Sequence, residues 1–204
     1  MNENVIDKET WRPCYGCDVM VTSETTLCRE DKEFLSSQGI SLDVIPYTMS
    51  SVEAVWMNKV YRGIAIKNRL NGLELFSTRL PITRPITVGH RALLYYPQAK
   101  GHHTKACNLF SDFLDYYAFL TLQQKKWGGI HLCHYDCMVM GDLWTFMSLI
   151  EESRCYEFVN CYFPNDDFGK TMERTALWRL KKKVISQRYL YEKYTDLRDL
   201  LKHL

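Results

Sequence analysis

The sequence predicts an α/β protein: a small parallel-rich sheet flanked by helices, with an N-terminal α/β-hairpin extension. Three observations carry this. From Ala106 the apolar pattern runs strand, helix, strand, helix, strand, the alternation that yields a parallel sheet. Between Val52 and Ser77, three β-rich stretches follow one another through short turns, as antiparallel strands do. Finally, Leu109–Leu122 (LFSDFLDYYAFLTL) and Cys161–Gly169 (CYFPNDDFG) both read as apolar strands that end in acidic residues. Strand ends that bring carboxylates to one sheet edge are a common skeleton of a Mg²⁺ site for phosphoryl chemistry.

The 204 residues suit one domain, or one domain with a small appendage, and can bury a proper core. A hydrophobic content of 46% with 25% charged residues argues against long disorder. No apolar run is long enough to cross a bilayer, and the first residues, MNENVIDKETW, are polar rather than signal-like, so a cytoplasmic location without membrane contact is expected. In that compartment the eight cysteines read as reduced thiols. Cys107, Cys133, Cys155 and Cys161 lie in or beside apolar segments and are expected to be buried. The net charge of +2 conceals an asymmetry: residues 170–204 sum to +6 and the remainder to −4. Long-range attraction to a polyanion must therefore come from the C-terminal end.

In chain order, residues 1–30 have weak periodicity and contain Cys14, Cys17 and Cys28. A structural zinc site needs four ligands, and no histidine occurs before His90, so a tight turn at Gly16 is the simpler reading. Asp31–Gln38 reads as a helix closed by Gly39, and Ser41–Met49 as a second helix. Val52–Trp56, Val60–Lys67 and Gly72–Ser77 are the antiparallel strands, with a turn at Asn68–Gly72. Leu80–Gly89, with Pro81 and Pro85, reads as an extended loop or irregular edge. Ala92–Tyr96 is a strand stopped by Pro97, and Gln98–Thr104 a polar loop. Then come the strand Ala106–Phe110, a helix over Asp112–Leu122 with Phe113, Tyr116, Tyr117 and Leu120 on one face, and a β-like stretch at His131–Met140. A helix at Leu143–Ser153, a strand at Phe158–Phe163 and a long helical region from Lys170 complete the chain. The expected division is an N-terminal segment 1–59, a core 60–180 and a basic helical tail 181–204.

Read together, these pieces resemble the Toprim fold, the metal-binding catalytic domain of primases, topoisomerases and related nucleases. They are most similar to the Toprim-containing primase or mobilisation proteins of bacterial mobile elements. Phe34–Ile40 is similar to the segment that enters their domain. Ile64–Asn68 with Asn71–Leu75 looks like their GFKN…GGYELR hairpin, and Phe110–Leu122 looks like FEGFMDFLSYLTL. Phe163–Gly169 looks like LDNDxAG, and Tyr191–Leu200 is similar to the YKGYKDLNEWL ending. The resemblance covers roughly residues 33–204.

The departures fall on the chemistry. The family's general acid/base glutamate is Ser111 here, and the first metal-binding aspartate of the D-x-D pair is Pro164. Asp166 and Gly169 are retained, as is Asp115. A serine hydroxyl does not exchange protons near neutral pH as a carboxylate does, and proline offers a dication only a carbonyl. The vestigial site is therefore Ser111, Asp112, Asp115, Asp166 and Asp167, with no confident catalytic residue, no metal ligand set and no cofactor. Asp112, Asp166 and Asp167 also suit helix N-termini, where carboxylates cap and are stabilised.

Two other constellations compete. His131, Cys133, His134, Asp136 and Cys137 are dense in metal-ligand types, but on a strand they alternate faces and neither face gathers enough of them. Lys181, Lys182 and Lys183, with Arg179 and Arg188 nearby, form a candidate phosphate-backbone surface, and the alternative is a solvated face. P-loop, dinucleotide, zinc-protease and nucleophile-elbow motifs are absent. The resulting expectation is a catalytically degenerate Toprim-like protein, with the question of enzymatic activity left open and leaning against it. It would act in DNA replication or mobilisation of a mobile element, through weak, sequence-indifferent DNA contacts or a replication or mobilisation protein. The alternatives are an active metal-dependent primase- or nuclease-type enzyme using displaced carboxylates with Mg²⁺, and a pure protein-interaction module.

Overall fold

In the computed structural model, residues 19–78, 84–98, 104–125 and 135–204 are described. They form a mixed α/β structure with two five-stranded sheets. The first sheet is an antiparallel meander of β1 (Met20–Thr26), β2 (Met49–Trp56), β3 (Lys59–Lys67), β4 (Leu73–Phe76) and β5 (Ile86–Val88), in that order. The helix α1 (Arg29–Ser37) lies between β1 and β2, and Gly39 follows it with φ +77°, the left-handed conformation expected of a residue closing a helix. β2 and β3 pair from Met49 opposite Ile66 to Trp56 opposite Lys59, so the sheet runs continuously across the expected division at 59/60.

The second sheet is Toprim-like and parallel-rich, with order β10-β9-β7-β8-β6. Its strands are β6 (Leu94–Tyr96), β7 (Ala106–Phe110), β8 (Asp136–Val139), β9 (Phe158–Tyr162) and β10 (Val184–Ser186); only β6 runs antiparallel. The helix α2 (Phe113–Gln124) links β7 to β8, α3 (Phe146–Glu152) leads into β9, and α4 (Asp167–Leu180) links β9 to β10. α2 packs on one face with the last helix, α5 (Leu197–Lys202), and with Met49, Ile64 and Ile66 of the first sheet. α3 and α4 pack on the other face through Leu149, Ile150, Met172 and Ala176. α2 is thus covered on nearly all sides, more than the single apolar face its sequence suggests, because the two sheets and α5 enclose it.

Several expectations need correction. Ser41–Met49 is no helix: a single 3-10 turn, Leu42–Val44, is started by Ser41 accepting the Asp43 N–H, and Met49 already belongs to β2. Pro46 offers no N–H to continue a helix there. The stretch before Gly89, read as an extended loop or irregular edge, carries the short edge strand β5 directly after Pro85. The polar strand β1 was missed because an edge strand with a bulge between Val21 and Ser23 shows little apolar alternation. After α4 the basic tail is not one continuous helix: a strand and short 3-10 turns precede α5. Lys181 adopts φ +57°, the three lysines form a 3-10 turn, and Val184–Ser186 pair with Val159–Cys161 as an edge strand. Cys107, Cys137 and Cys161 are buried, but Cys155 is exposed just after α3. Cys14, Cys17, His131, Cys133 and His134 lie outside the described residues. No helix among the described residues is long and apolar enough to cross a membrane.

Candidate functional site at the strand ends

At the end of β7, Ser111 is buried and its hydroxyl donates to Asp115 Oδ2 at 3.3 Å. Asp112 caps α2, its Oδ1 accepting the Asp115 N–H at 2.9 Å. Both aspartates are about 1% exposed, and both face Arg198 of α5. Arg198 Nε lies 3.3 Å from Asp115 Oδ1, and Nη2 lies 3.7 Å from Asp112 Oδ2 and 2.9 Å from Asp196 Oδ2. One guanidinium therefore serves three carboxylates. Asp112 Oδ2 is buried with no hydrogen bond, an orphan that only this ion pair relieves. Burial, together with the charges of Asp112 and Asp196, pushes Asp115 well above the ordinary carboxylate range, so it holds its proton to higher pH.

At the end of β9 the chain passes through Phe163 and Pro164. Asn165 is locked inward, its amide donating to the carbonyls of Tyr191 at 2.8 Å and Tyr194 at 2.7 Å. Asp166 caps α4, with Oδ1 accepting the Gly169 N–H at 2.8 Å. Its Oδ2 is taken by Arg84 Nη2, and the Arg84 guanidinium lies 4.0 Å over the Phe168 ring. Gly169 is required here, since a Cβ would stand 2.0 Å from the Pro164 carbonyl oxygen. Asp167 is fully exposed and among the described residues its side chain meets Lys170, at 3.6 Å. The candidate residues thus separate: Ser111, Asp112 and Asp115 cluster around Arg198, Asp166 turns to Arg84, and Asp167 points to water.

The structure adds a third strand end. After β8, Gly141 packs on the carboxylate of Glu74 from β4, so closely that a Cβ would fall 2.3 Å from Oε2. Glu74 is completely buried and accepts from Asn68 Nδ2 at 2.8 Å and Thr87 Oγ1 at 2.7 Å; burial pushes its pKa up to about 7. The next residue, Asp142, receives Arg91 Nε at 2.8 Å, and Arg91 lies 5.6 Å from the Trp144 ring centre. Arg84 and Arg91 flank β5, so both arginines reach from the first sheet to the second across a cleft of about 440 Å³. Sequence reasoning missed Glu74, Arg84, Arg91, Asp142, Trp144 and Phe168. A signal was present: Asp142-Leu143-Trp144 and Asp166-Asp167-Phe168 each set a carboxylate and, two residues on, an aromatic ring after a strand.

The divalent ion that a Toprim-like fold implies does not fit these residues. Pro164 contributes no side-chain ligand, Ser111 is turned to Asp115, and both oxygens of Asp166 are engaged, one by a backbone N–H and one by a guanidinium. A hard dication needs several anionic oxygens facing one point. Among the described residues no three His, Cys, Asp or Glu side chains are so grouped.

The basic run is exposed at Arg179, Lys181 and Lys182, and Arg179 stacks on Trp178 at 4.4 Å. Lys183 Nζ donates to the Arg154 carbonyl at 2.9 Å. Arg188, expected beside them, is instead held inside by Glu173 at 3.1 Å and Asn165 Oδ1 at 2.7 Å. Asp136 is likewise engaged within the fold: it receives the hydroxyls of Tyr156 at 2.7 Å and Tyr95 at 3.0 Å.

No family model matches the chain, and no curated protein matches it. Among solved structures it is similar to the crystal structure of the primase fragment of the bacteriophage T7 primase–helicase protein. The TM-score is 0.50 at 13% identity, over 95% of this chain and 74% of that one. At that identity the likeness is one of fold: two sheets and their helices in a primase-like arrangement.

Proposed function

We propose that this is a Toprim-like protein of DNA replication or mobilisation in a mobile element, cytoplasmic, whose metal chemistry has been dismantled and which acts by binding. The observation that carries this reading is the state of Asp166. The one retained aspartate of the D-x-D pair caps α4 and pairs with Arg84. The displaced-carboxylate alternative is the weaker reading, because Asp112 faces Arg198 and Asp167 is fully exposed beside Lys170. The DNA surface on this reading is Arg179 with Lys181, Lys182 and Lys183; Arg188 is left out because Glu173 and Asn165 hold it.

Fluorescence anisotropy with a labelled duplex over a salt series, paired with Mg²⁺ calorimetry, tests it. The expected result is weak, sequence-indifferent binding with a log–log salt slope of roughly −3 to −5, lost when Lys181, Lys182 and Lys183 become Glu. A micromolar Mg²⁺ site abolished by Asp166→Ala would replace this reading with the metal-dependent enzyme. No binding at low salt would replace it with the protein-interaction module.

A further inference from the structure

In open α/β sheets, ligands sit outside the carboxyl ends of the strands, where neighbouring connections leave on opposite faces. In this sheet that point lies between β7 and β9. From β7 the chain enters α2 on the face shared with α5, and from β9 it enters α4 on the other face. The cleft opens at this position, with Ser111 from the β7 end and Phe168 from the β9 end in its lining. Its volume, about 440 Å³, is within the range of small-molecule sites.

Both arginines of the cleft are prepared in the same way. Arg84 has Asp166 on one edge and the Phe168 ring against its plane; Arg91 has Asp142 and Trp144. A guanidinium carries several N–H donors in a rigid fork, and among the described residues Arg84 uses Nη2 alone, on Asp166. Trp144 stands at the rim with 73% of its surface exposed, unusual for tryptophan and available for stacking. A cation is thus already fixed beside the retained aspartate, at the end of the cleft where the fold family implies a metal.

We infer that this cleft binds the phosphate ester of a planar aromatic group without a divalent cation, Arg84 taking the phosphate and Trp144 the ring. Charge decides how it does so. Asp142 and Asp166 offset the two guanidiniums, so the cleft carries little net charge and draws anions weakly from a distance. Phosphate alone therefore binds poorly, and affinity requires ring and phosphate together. A free nucleotide and the end of a nucleic-acid strand offer the same chemistry. The inference rests on the reading of the Asp166 end as free of metal, and it does not depend on the lysine run.

Calorimetry on the full chain with AMP, adenosine, inorganic phosphate and a short 5′-phosphorylated DNA strand, in EDTA and then in Mg²⁺, tests it. AMP should bind in EDTA, adenosine and phosphate far more weakly, and Mg²⁺ should change the AMP affinity less than about twofold. Arg84→Ala should weaken AMP about tenfold or more, as loss of a charge-assisted contact does, and Arg84→Lys should weaken it less. Tighter binding of the strand than of AMP would identify a strand end as the source, and the reverse a free nucleotide; both support the inference. Thermal denaturation of the Arg84 variants shows whether a loss of binding is a loss of fold, and Trp144→Ala at the exposed rim gives a second variant expected to weaken AMP. The Lys181–Lys183 variant should bind AMP normally. Absence of AMP binding in EDTA at millimolar ligand overturns the inference while leaving the DNA reading intact. So does binding that needs Mg²⁺, or binding lost in the lysine variant yet kept in Arg84→Ala. A Mg²⁺ site lost in Asp166→Ala overturns the underlying reading itself.

Discussion

Two aspartates at strand ends, Asp115 and Asp166, are each paired with an arginine, but from opposite flanks and in opposite surroundings. Arg198 comes from α5 and is sealed with three carboxylates, its side chain only 15% exposed. Arg84 comes from beside β5 and meets one carboxylate and one ring at an open cleft, with Asp166 40% exposed. The same pairing of a carboxylate with a guanidinium therefore serves different ends. At the β7 end it closes the structure, tying the C-terminal helix to α2. At the β9 end it leaves a polar surface that a ligand can reach.

The largest expected effect tests the sealed side. Arg198→Ala leaves three carboxylates, two of them almost wholly buried, without a counter-charge. Removing one partner of a buried ion pair costs about 3–5 kcal/mol. Arg84→Ala, at a pair whose side chains are 29% and 40% exposed, should cost less than about 1 kcal/mol. Urea denaturation of the two variants at neutral pH measures both. Equal losses, or a loss under about 1 kcal/mol for Arg198→Ala, would break the contrast.

A smaller effect tests what lies beneath the open side. Glu74 is completely buried between the sheets, with Gly141 pressed against it, and its pKa rises from 4.5 to about 7 in the fold. The folded state holds this proton more tightly than the unfolded chain, so the contribution is complete below pH 4.5 and is lost as pH rises toward about 7. At about 1.4 kcal/mol per pH unit the loss is roughly 3 kcal/mol. Glu74→Gln keeps an acceptor for Asn68 and can donate to Thr87, and it should flatten this part of the stability–pH curve. A curve with the same slope in the variant would assign the pH dependence to another group, Asp115 being the one that shifts in the same direction.

What the sequence made legible follows from local physics. Strand–helix alternation gave the parallel sheet, and the aspartates before α2 and α4 announced the helix starts they cap. The partners of those aspartates were not legible. Arg198 lies 83 residues from Asp115 and Arg84 lies 82 from Asp166, and nothing in either neighbourhood encodes the pairing. Glu74 was hidden in another way. In sequence it is a polar residue in an alternating strand, and what covers it, Asn68, Thr87 and Gly141 after β8 of the other sheet, comes from elsewhere in the chain. The basic tail misled because three lysines after a helix read as its continuation. β9 offered an unpaired edge, and Val184–Ser186 filled it.

The smallest effect separates the two roles of Asp166 and so sharpens the comparison most. As an N-cap it accepts the Gly169 N–H with Oδ1, a contact any side-chain carbonyl at that position can make. As an ion-pair partner it holds Arg84 with Oδ2, which needs charge. Asp166→Ala removes both and should cost about 1 kcal/mol, the usual loss for an N-cap. Asp166→Asn keeps the cap and removes the charge, and asparagine caps as well as aspartate does. A partly exposed ion pair is worth well under 1 kcal/mol after screening, so the Asn variant should stay within about 0.5 kcal/mol of the parent. If both variants lose the same amount, charge at Asp166 matters more than the cap, and this end of the cleft is electrostatically closer to the Arg198 cluster than its exposure implies. If Asn restores stability, the aspartate is held by helix geometry alone, and Arg84 keeps its place through Phe168 and stays free to turn its remaining donors to a ligand.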